Sequence, residues 1–322
     1  MSLFSSSANT LKVVILLLPQ SSLMSLAATL DTMRAANRIS RRNLFDWQVS
    51  TVDGEPATLS CGQKIHPDGC LDEMQQGDLL ICIAAFSHQK HMPARYLTLF
   101  KKQAKNFAYI GGVESGSWIL ARAGYLQDRN ATTHWEDLED FRDAFKNVSV
   151  QPDRYVIDGK YFTTGGAAPT IDLFLHLIGT RYGHTLALEV ASVFIYDGGQ
   201  RAQTPQPLVS LGALQTQQPI IAAAIRLMEK HIDAPITSQN IAQQLGVSSR
   251  SLELLFRKEL TTSPQRYYKR LRLQVAKRLV LGSEHNMQEI AIRCGFNSLA
   301  AFSREFKRFF ETSPMRYRQE HK

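Results

Sequence analysis

The stretch Ile241–Pro264 decides the fold of this chain, because its sequence IAQQLGVSSRSLELLFRKELTTSP occurs a second time. The second copy is Ile290–Pro314, IAIRCGFNSLAAFSREFKRFFETSP. The copies are 49 residues apart as far as Ser249 and Ser298, and 50 residues apart from the first shared phenylalanine onward. One residue is therefore inserted inside the second copy. A repeat of this kind predicts one supersecondary unit that occurs twice.

Each copy predicts two helices joined by a tight turn. Gly246 and Gly295 supply the positive φ that the end of a first helix needs, and a serine or asparagine just after them can cap a second helix. The candidates for the cap are Ser248 or Ser249 in the first copy, and Asn297 or Ser298 in the second. We expect the second helices to bury one apolar face each, formed by Leu252, Leu255, Phe256 and Leu260, and by Leu299, Phe302, Phe306 and Phe310.

The outer face of each second helix is short and polar at its start and basic towards its end. Such a face behind a glycine turn suits the major groove of DNA. For one copy alone, a pair of ordinary amphipathic helices in a bundle is an equal alternative. Two copies with matched glycines, serines and aromatic residues favour a nucleic-acid-binding module.

The charge distribution indicates the same function independently. Residues 219–322 contain 18 Lys and Arg against 9 Asp and Glu, whereas residues 1–218 contain 19 basic and 20 acidic residues. The net charge of +8 therefore resides entirely in the C-terminal third. Positive charge concentrated in one module is typical of phosphate binding, because a basic surface needed only for solubility would be spread more evenly.

With these motifs, residues 218–320 resemble the AraC/XylS family of transcription regulators, in which a long helix joins two helix-turn-helix motifs. The joining helix would be Pro264–Leu281, with Leu271, Val275, Leu279 and Val280 inward and Arg270, Arg272, Lys277 and Arg278 outward. The resemblance implies double-stranded promoter DNA and RNA polymerase as partners, and most often activation. Helices 249–260 and 298–310 would enter major-groove segments about 34 Å apart.

The resemblance also assigns roles to single residues of these helices. Ser249 and Ser298, at the starts of the two helices, are expected to contact the DNA. The positions that face the bases in the family are occupied here by Arg250, Glu253, Leu254, Ala300, Ala301, Ser303 and Arg304. Arginine reads guanine and glutamate accepts from cytosine, whereas the alanines suit methyl contacts. The remaining basic residues are expected to hold phosphates and are Arg257, Lys258, Lys307 and Arg308.

The first two thirds of the chain predict an α/β domain. Its apolar, strand-like runs are Val13–Leu18, Gln48–Val52, Leu79–Ile83, Phe107–Ile110 and Val148–Gln151. Helical patterns alternate with them at Leu23–Ile39, Pro93–Lys105, Trp118–Ala123 and Trp135–Phe145. Such alternation is typical of a flavodoxin-like, doubly wound parallel sheet. Asp158-Gly159 predicts a hairpin, and a long helix is expected over 168–182. We expect domains at 1–196 and 219–322 with a linker at 197–218.

One turn of this domain has the form of a nucleophile elbow. Gly112-Val113-Glu114-Ser115-Gly116 lies between a predicted strand and a predicted helix, the context in which a G-x-nucleophile-x-G turn exposes a reactive side chain. The central residue is Glu114, and no paired acid is evident nearby in the sequence. Glu114 could equally cap the helix behind it, where negative charge is favoured.

The domain resembles the class I glutamine amidotransferase-like, PfpI-type domain of the GlxA-like branch of the AraC family. The residues that carry the resemblance are Leu30–Arg38, Gly112–Gly116, Leu120–Gly124 and Ala131–Trp135. Enzymes of that wider fold have a cysteine at the elbow that works with a histidine, and this chain has Glu114 there. The resemblance therefore implies an effector sensor that dimerises and has lost the thiol chemistry.

We expect the effector pocket at the elbow, because ligands of open α/β sheets bind at the carboxyl ends of the strands. A carboxylate there favours a cation, and aromatic faces favour a quaternary amine. The effector is thus predicted to be a small nitrogen-containing metabolite such as an amino acid or quaternary amine. The candidate residues are Glu114, Ser115, His134, Trp135 and Trp118, although tryptophans in helix-forming stretches such as those of Trp118 and Trp135 are more often core residues.

The alternative is a hydrolase or amidase fused to a DNA-binding module, with Ser115 or Cys82 acting beside His134. No cofactor and no metal site is predicted, because Cys61, His66 and Cys70 lack a fourth ligand and fit no common spacing. Val13–Leu18 is too short to span a membrane, so a cytoplasmic location is expected.

Overall fold

The computed structural model describes residues 3–74, 76–196, 202–203, 206, 218–283 and 285–321. The chain divides into two compact units, Met1–Gln206 and Pro207–Lys322. Most of the predicted linker at 197–218 lies outside the described residues. None of the described helices is both long enough and apolar enough to cross a membrane.

The first unit is built on a mostly parallel seven-stranded sheet with the strand order β10-β11-β7-β6-β1-β2-β5. Only β10 and β11 pair antiparallel within it. The strands of this sheet are β1 Leu11–Leu17, β2 Phe45–Thr51, β5 Gly69–Cys70, β6 Gly77–Ala84, β7 Phe107–Glu114, β10 Tyr155–Asp158 and β11 Tyr161–Thr164. Two small sheets lie outside it, β3 Ala57–Thr58 with β4 Lys64–Ile65, and β8 Arg129–Ala131 with β9 Val148–Val150.

Helices cover both faces of the sheet, as the doubly wound prediction requires. They are α1 Leu23–Ser40, α2 His88–His91, α3 Ala94–Gln103, α4 Gly116–Arg122, α5 Leu138–Ala144, α6 Ala167–Tyr182 and α7 His184–Val193, with a 3-10 turn at Ala104–Asn106. Alternate residues of β1 point to opposite faces. Val13, Ile15 and Leu17 join the core under α1, α6 and α7, and Val14 and Leu16 join the core under α3, α4 and α5.

The predicted hairpin is present, with Gly159 at φ +62° between β10 and β11. One strand prediction is wrong in its placement, because Val148–Val150 pairs with β8 in a separate parallel sheet and not with the main sheet. Helix α7 was not predicted. Its ten residues have polar groups only at His184, Thr185, Glu189 and Ser192, and half of it packs on the core of the first unit.

The second unit is helical in its described residues. Its helices are α8 Pro219–Lys230, α9 Ser238–Gln244, α10 Ser249–Leu260, α11 Pro264–Gly282, α12 Met287–Arg293, α13 Leu299–Phe310 and α14 Pro314–His321. Two cores form in it, one around Ile241, Leu252 and Phe256 and the other around Ile290, Phe302 and Phe306. The α9–α10 and α12–α13 pairs are thus the two predicted motifs, joined by α11.

The caps correct the register of the repeat. Ser248 caps α10 by accepting from the backbone N–H of Ser251, and Ser298 caps α13 by accepting from that of Ala301. The structural equivalent of Ser298 is therefore Ser248 and not Ser249, and the inserted residue lies in the turn before the cap. In this register Leu299 corresponds to the exposed Ser249. Leu299 is itself 37% exposed, so its predicted burial is wrong.

Two of the four basic residues predicted outward on α11 instead pack against the second motif. The guanidinium of Arg272 donates to the carbonyls of Cys294 (2.8 Å) and Gly295 (2.6 Å) and stacks over Phe296. The Lys277 ammonium lies over the rings of Phe310 and Tyr317. The joining helix therefore holds the second turn directly, in addition to spacing the motifs.

Candidate functional sites: an acidic pocket and two exposed helices

The elbow after β7 buries its carboxylate instead of presenting it to solvent. Glu114 adopts φ +54°, a conformation that strains a residue with a side chain, and it is only 8% exposed. Its carboxylate accepts a hydrogen bond from the Ser25 hydroxyl, at the start of α1, at 2.5 Å. Glu114 does not cap the following helix, because the N-cap position of α4 is Ser115 and has no side-chain cap bond.

A second, partly buried acid lies beside this elbow, although the sequence showed none. The Ser115 hydroxyl donates to Oδ2 of Asp137 at 3.0 Å. Burial raises the pKa of Asp137 to about 7, and Ser115 opposes that rise while Glu136 and Asp140 add to it. Burial likewise raises the pKa of Glu114 to about 7, against the Ser25 hydrogen bond and with the help of Asp137 and Glu136. The elbow therefore holds an acidic cluster in which both carboxyl groups have a pKa of about 7.

His134 lies at the same pocket. A Cβ built on Gly166 would be 3.3 Å from Cδ2 of His134 and 3.7 Å from Oε1 of Glu114, so both side chains border Gly166. The His134 and Trp135 rings are 5.7 Å apart, and Nδ1 of His134 is 3.9 Å from a carboxylate oxygen of Glu136. Of the predicted pocket residues, Glu114, Ser115 and His134 are thus brought together, with Trp135 beside them.

Trp118 belongs to the core of the first unit. It is buried on α4 and packs against Phe141 and Phe145, with ring centroids 5.2 and 5.5 Å away, and against His88 at 5.0 Å. This is the core role that a tryptophan in a helix most often has. A different aromatic residue is exposed near the elbow. Phe86 is 57% exposed, two residues beyond Ala84, whose carbonyl accepts from the N–H of Ser115.

Neither candidate nucleophile is arranged for hydrolysis. Cys82 is fully buried in the sheet, and burial raises the pKa of its thiol far above neutrality. A thiol in that state is a poor nucleophile. The Ser115 hydroxyl is bound to the Asp137 carboxylate, whereas a serine nucleophile needs a base such as a neutral imidazole to take its proton.

The second candidate site is formed by the outer faces of α10 and α13. On α10, Ser249, Arg250, Leu254, Arg257 and Lys258 are exposed and Glu253 is partly so. On α13, Ala300, Arg304, Lys307 and Arg308 are exposed, Ala301 and Ser303 are partly so, and the cap Ser298 is exposed. All thirteen contacts that the resemblance implies are therefore accessible.

Contacts within the helices distinguish these residues. Glu253 pairs with Arg257 one turn later at 3.2 Å, and Arg308 pairs with Glu305 at 3.2 Å. Arg250 and Arg304 form no hydrogen bond or ion pair with the described residues. With the corrected register, Arg250 corresponds to Ala300, Glu253 to Ser303 and Leu254 to Arg304. The two helices therefore present different groups at equivalent positions.

Two helix-turn-helix motifs follow, in the sequence, a doubly wound sheet domain with an acidic cluster at its elbow. This combination defines a DNA-binding regulator with a sensor domain. Comparison with known proteins agrees. Residues 241–320 match the model of the helix-turn-helix domain family, and residues 11–180 match that of the DJ-1/PfpI family. The chain belongs to the AraC-type helix-turn-helix transcription regulators that carry a DJ-1/PfpI domain.

Two relatives from Pseudomonas aeruginosa are similar along most of their length. The HTH-type transcriptional regulator GbdR is 34% identical, over 97% of this chain and 85% of its own. The HTH-type transcriptional regulator CdhR is 33% identical, over 93% of this chain and 89% of its own. A THiJ/PfpI family protein from Pseudomonas syringae shares the fold with a TM-score of 0.52 at 21% identity, covering 74% of this chain and 90% of that one.

Proposed function

We propose that the first unit senses a small nitrogen-containing cation, an amino acid or a quaternary amine, in the pocket formed by Glu114, Asp137, Ser115, Ser25 and His134. The observation that carries the proposal is the pair of neighbouring carboxylates, the buried Glu114 and the partly buried Asp137. Neither forms an ion pair with a Lys or Arg side chain of the described residues. A cation in the pocket would offset the unfavourable burial of this charge.

The aromatic surroundings suit a cation that has no N–H groups to donate. Trp135 is partly buried next to His134, and Phe86 is exposed on the loop that begins beside the elbow. Aromatic faces attract quaternary ammonium groups through their quadrupole. With Trp118 in the core, Trp135 and Phe86 are the aromatic side chains that we assign to the walls of the pocket.

We further propose that the protein acts as a homodimeric activator of transcription, which recruits RNA polymerase. Effector binding changes how α10 and α13 hold promoter DNA. Exposed basic residues at the ends of both helices support phosphate binding. Arg250, Arg304 and Leu254 support base reading, because arginine pairs with guanine and an apolar side chain contacts the methyl group of thymine.

A thermal-shift experiment tests the pocket directly. The full chain is heated at pH 8 with tetramethylammonium, trimethylglycine, glycine or arginine, and again as the Glu114→Gln variant. The matched control ligand for trimethylglycine is 3,3-dimethylbutanoate, which has the same shape and lacks the positive charge.

We expect at least one of these four compounds, each of which carries a positively charged nitrogen group, to raise the melting temperature of the wild-type chain and to lose that effect in Glu114→Gln. We also expect the effect to be smaller at pH 6, because both carboxyl groups have a pKa near 7 and take up protons below it. Equal stabilisation of wild type and variant, or by 3,3-dimethylbutanoate as well, would refute the cation pocket.

A further inference from the structure

The side-chain amide of Gln206 is bound at both of its ends. Its Nε2 lies 2.9 Å from the carbonyl of Thr133, 2.8 Å from that of Asp153 and 3.0 Å from the hydroxyl oxygen of Thr132. Its Oε1 accepts from the backbone N–H of Trp135 at 3.1 Å. The two N–H groups of the amide face three acceptor oxygens, so that one N–H is shared, and the amide oxygen accepts one N–H; this arrangement suits a primary carboxamide.

The site also has room for a flat group. A Cβ built on Gly165 would come within 2.0 Å of Oε1 of Gln206, so the amide lies directly on the backbone of that glycine. The backbone is fixed here as well, since the N–H of Gln206 donates to the carbonyl of Pro152 at 2.8 Å. Gln206 is the last residue of the first unit.

Thr133 connects this site to the acidic pocket. Its hydroxyl donates to the backbone carbonyl of Glu114 at 3.2 Å, while its own carbonyl accepts from the Gln206 amide. A second connection runs through two adjacent glycines, because Gly165 supports the Gln206 amide and Gly166 borders Glu114 and His134. A ligand that displaces residues 133–135 would therefore disturb the bonds to Gln206.

We propose that Thr132, Thr133, Asp153 and Trp135 form a binding site for a primary carboxamide, which this chain fills with Gln206, and that the site couples the Glu114 pocket to the point where the chain leaves the first unit. The coupling rests on the sensing function proposed above, whereas the carboxamide site does not. With the site empty, the segment keeps its contact at Ala202, whose carbonyl accepts from the N–H of Arg154 at 3.1 Å and whose side chain packs on the core of the first unit. The exit point would then lie up to four residues earlier in the chain.

Other side chains fit the site poorly. A carboxylate would place a second acceptor oxygen against the carbonyls of Thr133 and Asp153, and it would carry a charge into a partly buried place. An ammonium group could donate to those carbonyls but offers no acceptor to the N–H of Trp135. The site therefore selects a primary amide over both charged groups.

The first test uses the full chain as Gln206→Ala, with Gln203→Ala as the matched control on an exposed residue of the same segment. We expect hydrogen exchange of the Trp135 amide to become at least tenfold faster in Gln206→Ala only. We also expect acetamide to slow that exchange and raise the melting temperature of this variant, and N,N-dimethylacetamide, which has no N–H to donate, to do neither. Identical exchange in both variants, or equal responses to both amides, would overturn the site.

The second test concerns the coupling. A DNA fragment is selected from a random pool by the wild-type chain, and its affinity is measured with and without trimethylglycine as the probe. We expect Gln206→Ala to bind the fragment. The factor by which the probe changes the DNA affinity should be at least tenfold smaller in Gln206→Ala than in the wild type, and unchanged in Gln203→Ala. An equal probe effect in both variants would overturn the coupling. A wild-type chain whose DNA affinity responds to none of trimethylglycine, tetramethylammonium, glycine and arginine would overturn the sensing proposal and the coupling with it, and the exchange experiment would still decide the carboxamide site.

Discussion

The Ser25 hydroxyl donates a hydrogen bond to Oε1 of Glu114 at 2.5 Å, across 89 residues of sequence. Ser25 lies in the first turn of α1, whose N-cap Ser22 accepts from the Ser25 backbone N–H. The Ser22 cap therefore orients Ser25, and the Ser25 hydroxyl in turn orients the Glu114 carboxylate. Ser25 favours the charged form of Glu114 and burial disfavours it, and the burial effect is larger, which leaves the pKa at about 7.

This raised pKa predicts that the first unit becomes less stable as the pH rises. The folded state holds the proton of Glu114 up to about pH 7, whereas the unfolded chain releases it near the ordinary glutamate pKa of 4.5. The contribution of Glu114 to stability is therefore greatest below about pH 4.5 and falls until the pH exceeds 7. We expect Glu114→Gln to remove about 2–3 kcal/mol of the loss between pH 5 and pH 8.

Urea unfolding followed by tryptophan fluorescence measures this loss, because Trp47, Trp118 and Trp135 all belong to the first unit. Glu139→Gln, at an exposed glutamate of α5, serves as the control and should keep the wild-type dependence. Part of the loss should persist in Glu114→Gln, because the pKa of Asp137 is raised in the same direction. Equal pH dependence of Glu114→Gln and wild type would show that Glu114 ionises normally in the folded state.

The elbow was predictable from the sequence, but its chemical partners were not. The glycines at 112 and 116 between a strand and a helix identify the turn locally. Ser25 and Asp137 are ordinary polar residues 89 and 23 positions away from Glu114, and only the sheet order brings α1 and the loop before α5 to the same edge. Gln206 was assigned to a linker by composition, and its hydrogen bonds to residues 132–153 have no local signature.

The two glycine turns form a matched pair for a stability prediction. Gly246 and Gly295 have φ +66° and +68°, so alanine at either position costs roughly 1–2 kcal/mol. Only Gly295 is also enclosed, since its Cβ would lie 2.5 Å from the Pro235 ring and 2.6 Å from the carbonyl of Ile232. We expect Gly295→Ala to lower the unfolding free energy of the second unit by a further ~1–3 kcal/mol relative to Gly246→Ala.

Circular dichroism at 222 nm during urea unfolding of the full chain follows the helices of both units, and the part of its transition that does not coincide with the tryptophan transition of the first unit measures this difference. The tryptophan signal of the first unit provides an internal control and should not move in either variant. Equal destabilisation by the two alanines would mean that the loop around Pro235 yields to the added methyl group.

The repeat was recognisable from the sequence, whereas its exact register was not. Ser248 and Ser249 are adjacent serines, and the residue type alone cannot decide which of them caps a helix. An alignment by residue type therefore places the inserted residue after the cap, whereas the structure places it before the cap. The cap is decided by backbone conformation, since Ser248 has the extended φ and ψ of an N-cap and Ser249 is already helical. The burial expected for Leu299 has a different origin, because it follows from the apolar spacing with Phe302 and Phe306, whereas the side chain at this first helical position is exposed.

The corrected register predicts opposite effects of two serine substitutions. Ser248→Ala removes the side-chain acceptor of the Ser251 N–H and should cost about 1 kcal/mol of stability in the second unit. Ser249→Ala replaces an exposed serine in the first turn and should leave the urea midpoint unchanged while weakening DNA binding. Measuring both quantities for both variants separates the roles. A stability loss in Ser249→Ala, with none in Ser248→Ala, would restore the original alignment.

Arg304 and Lys307 are both exposed on α13, yet we expect their loss to have different consequences on DNA. Arg304→Ala should lower the affinity for the best sequence by ~1–3 kcal/mol and relax the preference at one base pair, since a bidentate contact to guanine is lost. Lys307→Ala should weaken binding to all sequences alike and reduce the dependence of the affinity on salt by about one counterion. Selection from a random DNA pool, followed by titrations at two salt concentrations, measures both effects.

Arg308→Ala is a suitable comparison, because the guanidinium of Arg308 is already paired with Glu305. Its removal should change the salt dependence of binding less than the removal of the Lys307 ammonium does. If Arg304→Ala weakened all sequences equally, Arg304 would be a phosphate contact, and base reading by α13 would have to rest on Ala300, Ala301 and Ser303.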